Sequence, residues 1–163
     1  MKKFILHIYR AVIPEAVRAV LIPPFIKKLI QQVFKSRLLN LIREAESQMQ
    51  AEKWPEAIHC WQDLLNEYGT KAPAGIYIKL SRAHRKQGDL EAAATVAQHG
   101  HQHYPQEIKF VFELAEIAAE RDYWSDAIQY WQFISYTSKE NTPVGIFIKI
   151  VKSYQIQNKL KKG

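Results

Sequence analysis

Pro73-Ala74-Gly75-Ile76-Tyr77-Ile78-Lys79-Leu80 returns 70 residues later as Pro143-Val144-Gly145-Ile146-Phe147-Ile148-Lys149-Ile150. A second block recurs at the same offset. Trp54, Glu56, Ala57, Ile58, Trp61, Gln62 and Leu64 become Trp124, Asp126, Ala127, Ile128, Trp131, Gln132 and Ile134. Two separate blocks sharing one offset mark a repeat architecture. Such chains stack small units that cannot bury their apolar faces alone, and they generally present a surface rather than enclose a reaction.

A shorter period lies inside the long one. Ala57, Ala93 and Ala127 stand 36 and 34 residues apart. Each follows a turn-like step: Lys53-Trp54-Pro55-Glu56, Gly88-Asp89-Leu90-Glu91 and Tyr123-Trp124-Ser125-Asp126. This pattern resembles the tetratricopeptide repeat, a pair of antiparallel helices about 34 residues long. The second unit matches best, with Leu80, Ser81, the Gly88 turn, Ala93 and Pro105 in order. Leu114, Ala115, Ala127 and Trp131 take the corresponding places in the third, and Ala45, Ala57 and Trp61 in the first. The resemblance implies an all-α fold: helix pairs over about 38–72, 73–107 and 108–142, then a lone helix over 143–158, stacked as a short superhelix. Ala45, Ser81, Ala115, Ala57, Ala93 and Ala127 would let helices approach closely, while Trp61, Leu80, Leu114 and Trp131 fill the space between them. Glu44, Ala97 and Val151 depart from the pattern, which places an apolar, an aromatic and a small residue there. The lone helix is read either as a C-terminal cap or as the start of something longer; Lys159, Lys161 and Lys162 favour the cap.

The 163 residues carry a formal charge of +7, and it is unevenly spread. Eight of the 23 basic residues (Lys2, Lys3, Arg10, Arg18, Lys27, Lys28, Lys35 and Arg37) and one of the 16 acidic residues (Glu15) fall in positions 1–37, which leaves fifteen of each sign in the remainder. Residues 1–37 read as three short amphipathic helices broken at Pro14 and at Pro23-Pro24. In the third, Phe25-Ile26, Leu29-Ile30 and Val33-Phe34 alternate with Lys27-Lys28, Gln31-Gln32 and Lys35-Ser36, an apolar stripe with a basic opposite face. The longest uncharged run near the middle, Ala19 to Ile26, is far below the ~20 residues of a membrane span and holds two prolines. No small-x-small step follows, so a signal peptide is a poor fit. Three readings stand: an interfacial anchor on anionic lipid, with Lys2, Lys3, Arg10, Arg18, Phe25, Lys27, Lys28, Leu29, Phe34 and Lys35 at the membrane surface, an N-terminal cap on the stack, or a contact with a protein partner. Nucleic acid is disfavoured, because the basic residues are dispersed among aliphatics without a stacking aromatic motif. The run Ile8-Tyr9-Arg10, Ile13-Pro14 and Val17-Arg18, together with Trp54-x-x-Ala57-Ile58-x-x-Trp61, is similar to helical regions of bacterial capsule and surface-polysaccharide transferases. That resemblance implies a place beside such an enzyme at the cytoplasmic membrane face.

Reactive chemistry is sparse. No phosphate-binding glycine loop or nucleophile elbow occurs. Cys60 allows no internal disulfide, and neighbouring His59 points elsewhere on a helix, so the thiol reads as packing. His99 and His103 could share a face, yet no acid or third ligand accompanies them, so no metal or other cofactor is assigned. Trp54, Trp61, Trp124 and Trp131 all fall at repeat positions and read as core. No catalytic residue is assigned.

The repeat positions place Ile42, Glu46 and Met49, then Ile78, Arg82, Arg85 and Lys86, then Lys109, Phe112, Glu116 and Glu120 along an inner groove. It is basic in the second unit and acidic in the third, which suits a peptide or helix with both charges and an apolar anchor. Repeats of the class that binds chaperone tails carry lysine and asparagine where Ile42 and Glu46 stand, so that partner is disfavoured. The expected function is a non-enzymatic adaptor for protein partners, peripheral at the cytoplasmic membrane face. The alternative is the regulatory front of a larger glycosyl- or phosphosugar-transferase.

Overall fold

A computed structural model describes residues 24–138 and 142–160, and every regular element among them is helical. The order is α1 (Pro24–Gln50), α2 (Trp54–Tyr68), a 3-10 turn (Gly69–Lys71), α3 (Ala74–Gln87), α4 (Leu90–His103), α5 (Lys109–Glu120), α6 (Trp124–Ser138) and α7 (Val144–Leu160). The all-α class expected from the repeat is therefore what the structure shows. Two compact units divide the chain, Met1–Asn40 and Leu41–Gly163. The described part of the first is residues 24–40 of α1. The third of the expected short helices is the front of one long helix instead. Pro24 suits a first helical turn, and no glycine or proline follows until Pro55, so nothing stops the helix near residue 37.

The second unit holds the repeats. Consecutive helices pack on one another from α2 through α7, and α3 also touches α5. The three turns inside the helix pairs share three backbone bonds. Glu52, Gly88 and Asp122 occupy the same place and all have left-handed backbone, with φ of 56°, 92° and 60°. Their N–H groups donate to Met49, Arg85 and Ala119; the next N–H groups, of Lys53, Asp89 and Tyr123, donate back to Gln48, His84 and Ala118. This satisfies the last carbonyls of each first helix in the manner of a Schellman cap. Ala57, Ala93 and Ala127 then make the first bond of each second helix, to Lys53, Asp89 and Tyr123. Only the middle turn has the glycine that left-handed backbone favours. Glu52→Gly is expected to stabilise the protein by about 0.5 kcal/mol, since the relief of the side-chain clash slightly exceeds glycine's extra entropy in the unfolded chain. A chemical denaturation midpoint that falls would contradict this.

The six small residues named from sequence are all completely buried. At the middle seam Ser81 Oγ donates to the Ala93 carbonyl at 2.9 Å, which fixes how closely α3 and α4 approach. Trp61, Leu64, Leu80, Phe110, Ile117, Trp131 and Ile134 fill the space between. Leu64, Gly100 and Ile134 hold equivalent places, yet the second is a glycine because Phe110 fills the site. A Cβ on Gly100 would lie 2.3 Å from the Phe110 ring and 2.9 Å from Tyr77 Cβ. Gly100→Ala is expected to cost about 2 kcal/mol net despite alanine's better helix propensity, because the fully buried ring has nowhere to move. Equal denaturation midpoints would refute it.

Candidate functional site

The first helices of successive pairs are α1, α3, α5 and α7. Each carries two charged or polar positions three residues apart: Arg43 and Glu46, Lys79 and Arg82, Glu113 and Glu116, Lys149 and Lys152. The second position of one helix pairs with the first position of the next. Glu46 meets Lys79 at 3.4 Å, Arg82 Nε donates to Glu113 at 2.5 Å, and Lys149 Nζ donates to Glu116 at 2.6 Å. The sign alternates at each step, so the stack is laced along one face by ion pairs in constant register. Most are part-exposed, and each such pair is worth about 0–1 kcal/mol.

The middle step differs. The Glu113 side chain is only 3% exposed. Besides Arg82 it faces Arg85 Nη2 at 3.5 Å, while Arg85 Nη1 donates to Glu120 at 2.5 Å. A buried carboxylate between two guanidinium groups is fixed in place, and losing either cation leaves a poorly solvated charge.

The groove residues expected from sequence are distributed accordingly. Arg82, Arg85, Glu116 and Glu120 are on this face but are engaged with one another or with Glu113 and Lys149. Ile78 is buried rather than lining a surface. Phe112 is half-buried, its ring edge-on to Trp131 with centroids 5.9 Å apart. Lys109 is exposed and 3.8 Å from Glu107. Lys86 is exposed, with no ion pair to a described residue. Ile42 and Met49 are half-buried, and Met49 Sδ accepts from Trp61 Nε1 at 3.2 Å. Sequence reasoning missed Lys79, Glu113 and Lys149. Their signal was present, a charge three residues before each groove charge recurring at the repeat spacing.

Of the expected membrane-surface residues, Lys2, Lys3, Arg10 and Arg18 lie outside the described residues, as do the side chains of Phe25, Lys27 and Phe34. Lys28, Leu29 and Lys35 are exposed on α1, with Val33 beside them. No helix among the described residues is long and apolar enough to cross a membrane.

Titratable groups elsewhere explain themselves by packing. Burial, then the Glu44 carboxylate, pushes the Cys60 thiol up, so it rests protonated at neutral pH. His59 turns to Asp63 at 3.3 Å. His99 and His103 meet through Nε2 atoms 3.2 Å apart, with the Tyr77 ring edge-on to His99. No group of three or more His, Cys, Asp or Glu among the described residues is placed to hold a metal ion.

Burial lowers the His84 pKa, and Asp89, 3.9 Å away, only partly opposes this. In the unfolded chain His84 takes up a proton near pH ~6.5, in the folded one only at lower pH. The unfolded state therefore binds more protons in that window, so this contribution to stability is complete above pH ~6.5 and is lost as the pH falls. His84→Gln is expected to narrow the gap between denaturation midpoints measured at about pH 7.5 and about pH 5.5. An unchanged gap would remove His84 from the account.

Searched against protein-family models and against curated proteins, the sequence gave no match.

Proposed function

We propose that this chain is a non-enzymatic, tetratricopeptide-like adaptor that binds a protein partner along the face of its first helices. The observation that supports this reading is the ion-pair lacing of α3 to α5, which braces that face from helix to helix. A preorganised face spares a partner the cost of ordering it. Arg82 and Arg85 act as supports, and Lys86, Lys109 and the half-buried Phe112 remain for a peptide or helix that brings carboxylates and an apolar anchor. Lys86→Glu with Lys109→Glu is the corresponding test, because both side chains are exposed and their reversal leaves the core untouched. Bait protein carrying both changes should melt like wild type and lose a partner that wild type enriches from source-cell extract. Equal enrichment would refute the assignment of the face.

The adaptor works at the cytoplasmic face of a membrane, as a peripheral protein of surface-polysaccharide synthesis. The basic excess in residues 1–37 and the exposed Leu29 and Val33 beside Lys28 and Lys35 support the membrane half. The N-terminal resemblance supports the pathway. Full-length protein is expected to float with anionic vesicles at low salt, and to stop floating at high salt or after Lys27→Glu, Lys28→Glu and Lys35→Glu together. Flotation indifferent to salt and to these changes would exclude an electrostatic anchor.

A further inference from the structure

His99 and His103 stand four residues apart on α4, which sets both side chains on one face of the helix. Their Nε2 atoms meet 3.2 Å apart. A zinc ion holds imidazole nitrogens at about 2.0–2.1 Å, so two of them on one ion stand about 2.9 Å apart at a right angle and about 3.3 Å apart at a tetrahedral one. The observed spacing falls between these limits. Spacing in the sequence shows a shared face; the structure brings the two nitrogens to chelating distance.

Two features separate this contact from incidental packing. The hydrogen bond between the rings is a poor one. A straight N–H···N bond of this length would hold the ring centres about 5.5 Å apart. They are 4.6 Å apart with planes inclined at 77°, so the bond is bent and a cation replaces it at little cost. The rings also rest on Tyr77 of α3, with centroids 5.7 Å from His99 and 6.0 Å from His103. Tyr77 is only 4% exposed, and this fixed ring limits how far either imidazole swings, so less rotamer freedom is lost when an ion binds. The repeat itself does not call for histidine here. The equivalent residues are Asp63 and Glu67 on α2, and Phe133 and Thr137 on α6.

We propose that His99 and His103 form a two-nitrogen chelate for one divalent cation of the zinc, nickel or copper class. Neutral imidazole suits these ions, whereas magnesium and calcium prefer oxygen ligands. Each Nε2 gives its lone pair to the ion. The ring that donates in the metal-free pair therefore moves its proton from Nε2 to Nδ1 through solvent. No third His, Cys, Asp or Glu among the described residues joins the pair, so water fills the remaining positions. Such an open site is unlike the closed four-ligand sites that hold zinc for structure. It is carried by a second helix, α4, and stands whether or not the face of the first helices binds a partner.

Calorimetric titration of zinc and of nickel into full-length protein is the test, with magnesium as the control ion. One equivalent of zinc or nickel is expected to bind, and magnesium is not. His99→Gln and His103→Gln should each weaken uptake at least about tenfold. The double variant should be no weaker than either single one, because one imidazole alone does not chelate. His59→Gln, on the exposed side of α2, should change nothing. His99 and His103 are exposed, so their variants should keep the wild-type melting curve in the absence of metal. Saturating zinc should raise the midpoint of wild type and not of the double variant, since the chelate exists only while α4 is helical. The proposal is overturned if wild-type protein takes up neither ion or if either single variant binds as tightly as wild type. It is overturned equally if the two losses add in the double variant, or if zinc raises all the midpoints alike.

Discussion

Changing Arg82 and Arg85 together to glutamate is expected to destabilise the protein by about 3–5 kcal/mol. Both guanidinium groups serve Glu113, whose side chain is 3% exposed. Reversal places two new carboxylates beside a buried one and beside Glu120 as well. An isolated surface reversal costs far less, and the difference lies in the burial of Glu113. Glu113→Arg in the same background is expected to restore part of the loss, because it returns opposite charges to the site. Chemical denaturation of wild type, Glu113→Arg alone, and the double and triple variants measures this as a coupling energy. A double variant within about 0.5 kcal/mol of wild type would show that the arginines are free to serve a ligand.

Trp131→Ala is expected to cost a similar amount, about 3–5 kcal/mol. The ring is 1% exposed and sits in the cluster of Val111, Ala115, Ala118, Ala127, Ile134 and Ile146. Phe112 packs edge-on against it, and Lys149 Nζ lies 5.0 Å from its centroid, so the residue joins α5, α6 and α7. Folded domains are stable by only about 5–15 kcal/mol, so the variant should lose a large share of its margin. The loss should appear first as fraying of α7, which among the described residues packs mainly on α6. Trp124, half-buried at the start of α6, should tolerate alanine better. Equal losses at the two positions would contradict the distinction between them.

The repeat was legible because backbone need and packing need both recur at one spacing. The six small residues are readable from the sequence alone, since close helix approach leaves few choices of side chain. The left-handed turn was legible at Gly88 and hidden at Glu52 and Asp122, where ordinary residues bear the same backbone. The length of α1 is masked in the sequence because the apolar and charged pairs of residues 25–36 form a stripe that looks self-contained. The absence of any breaker up to Gln50 was the stronger signal. The groove was half legible. Its residues do recur on one face, but a lone sequence position does not reveal whether a charge faces solvent or the next helix. Counting that face one position further, to Lys79, Glu113 and Lys149, would have revealed the pairing.

The face of the first helices is the proposed meeting place of this protein and its partner. A photo-crosslinking amino acid placed singly at Lys86, at Lys109 or, on the exposed side of α2, at Gln62 tests it directly in source cells. A discrete protein adduct is expected from Lys86 and Lys109 and none from Gln62. Adducts from all three positions alike, or from Gln62 alone, would contradict it.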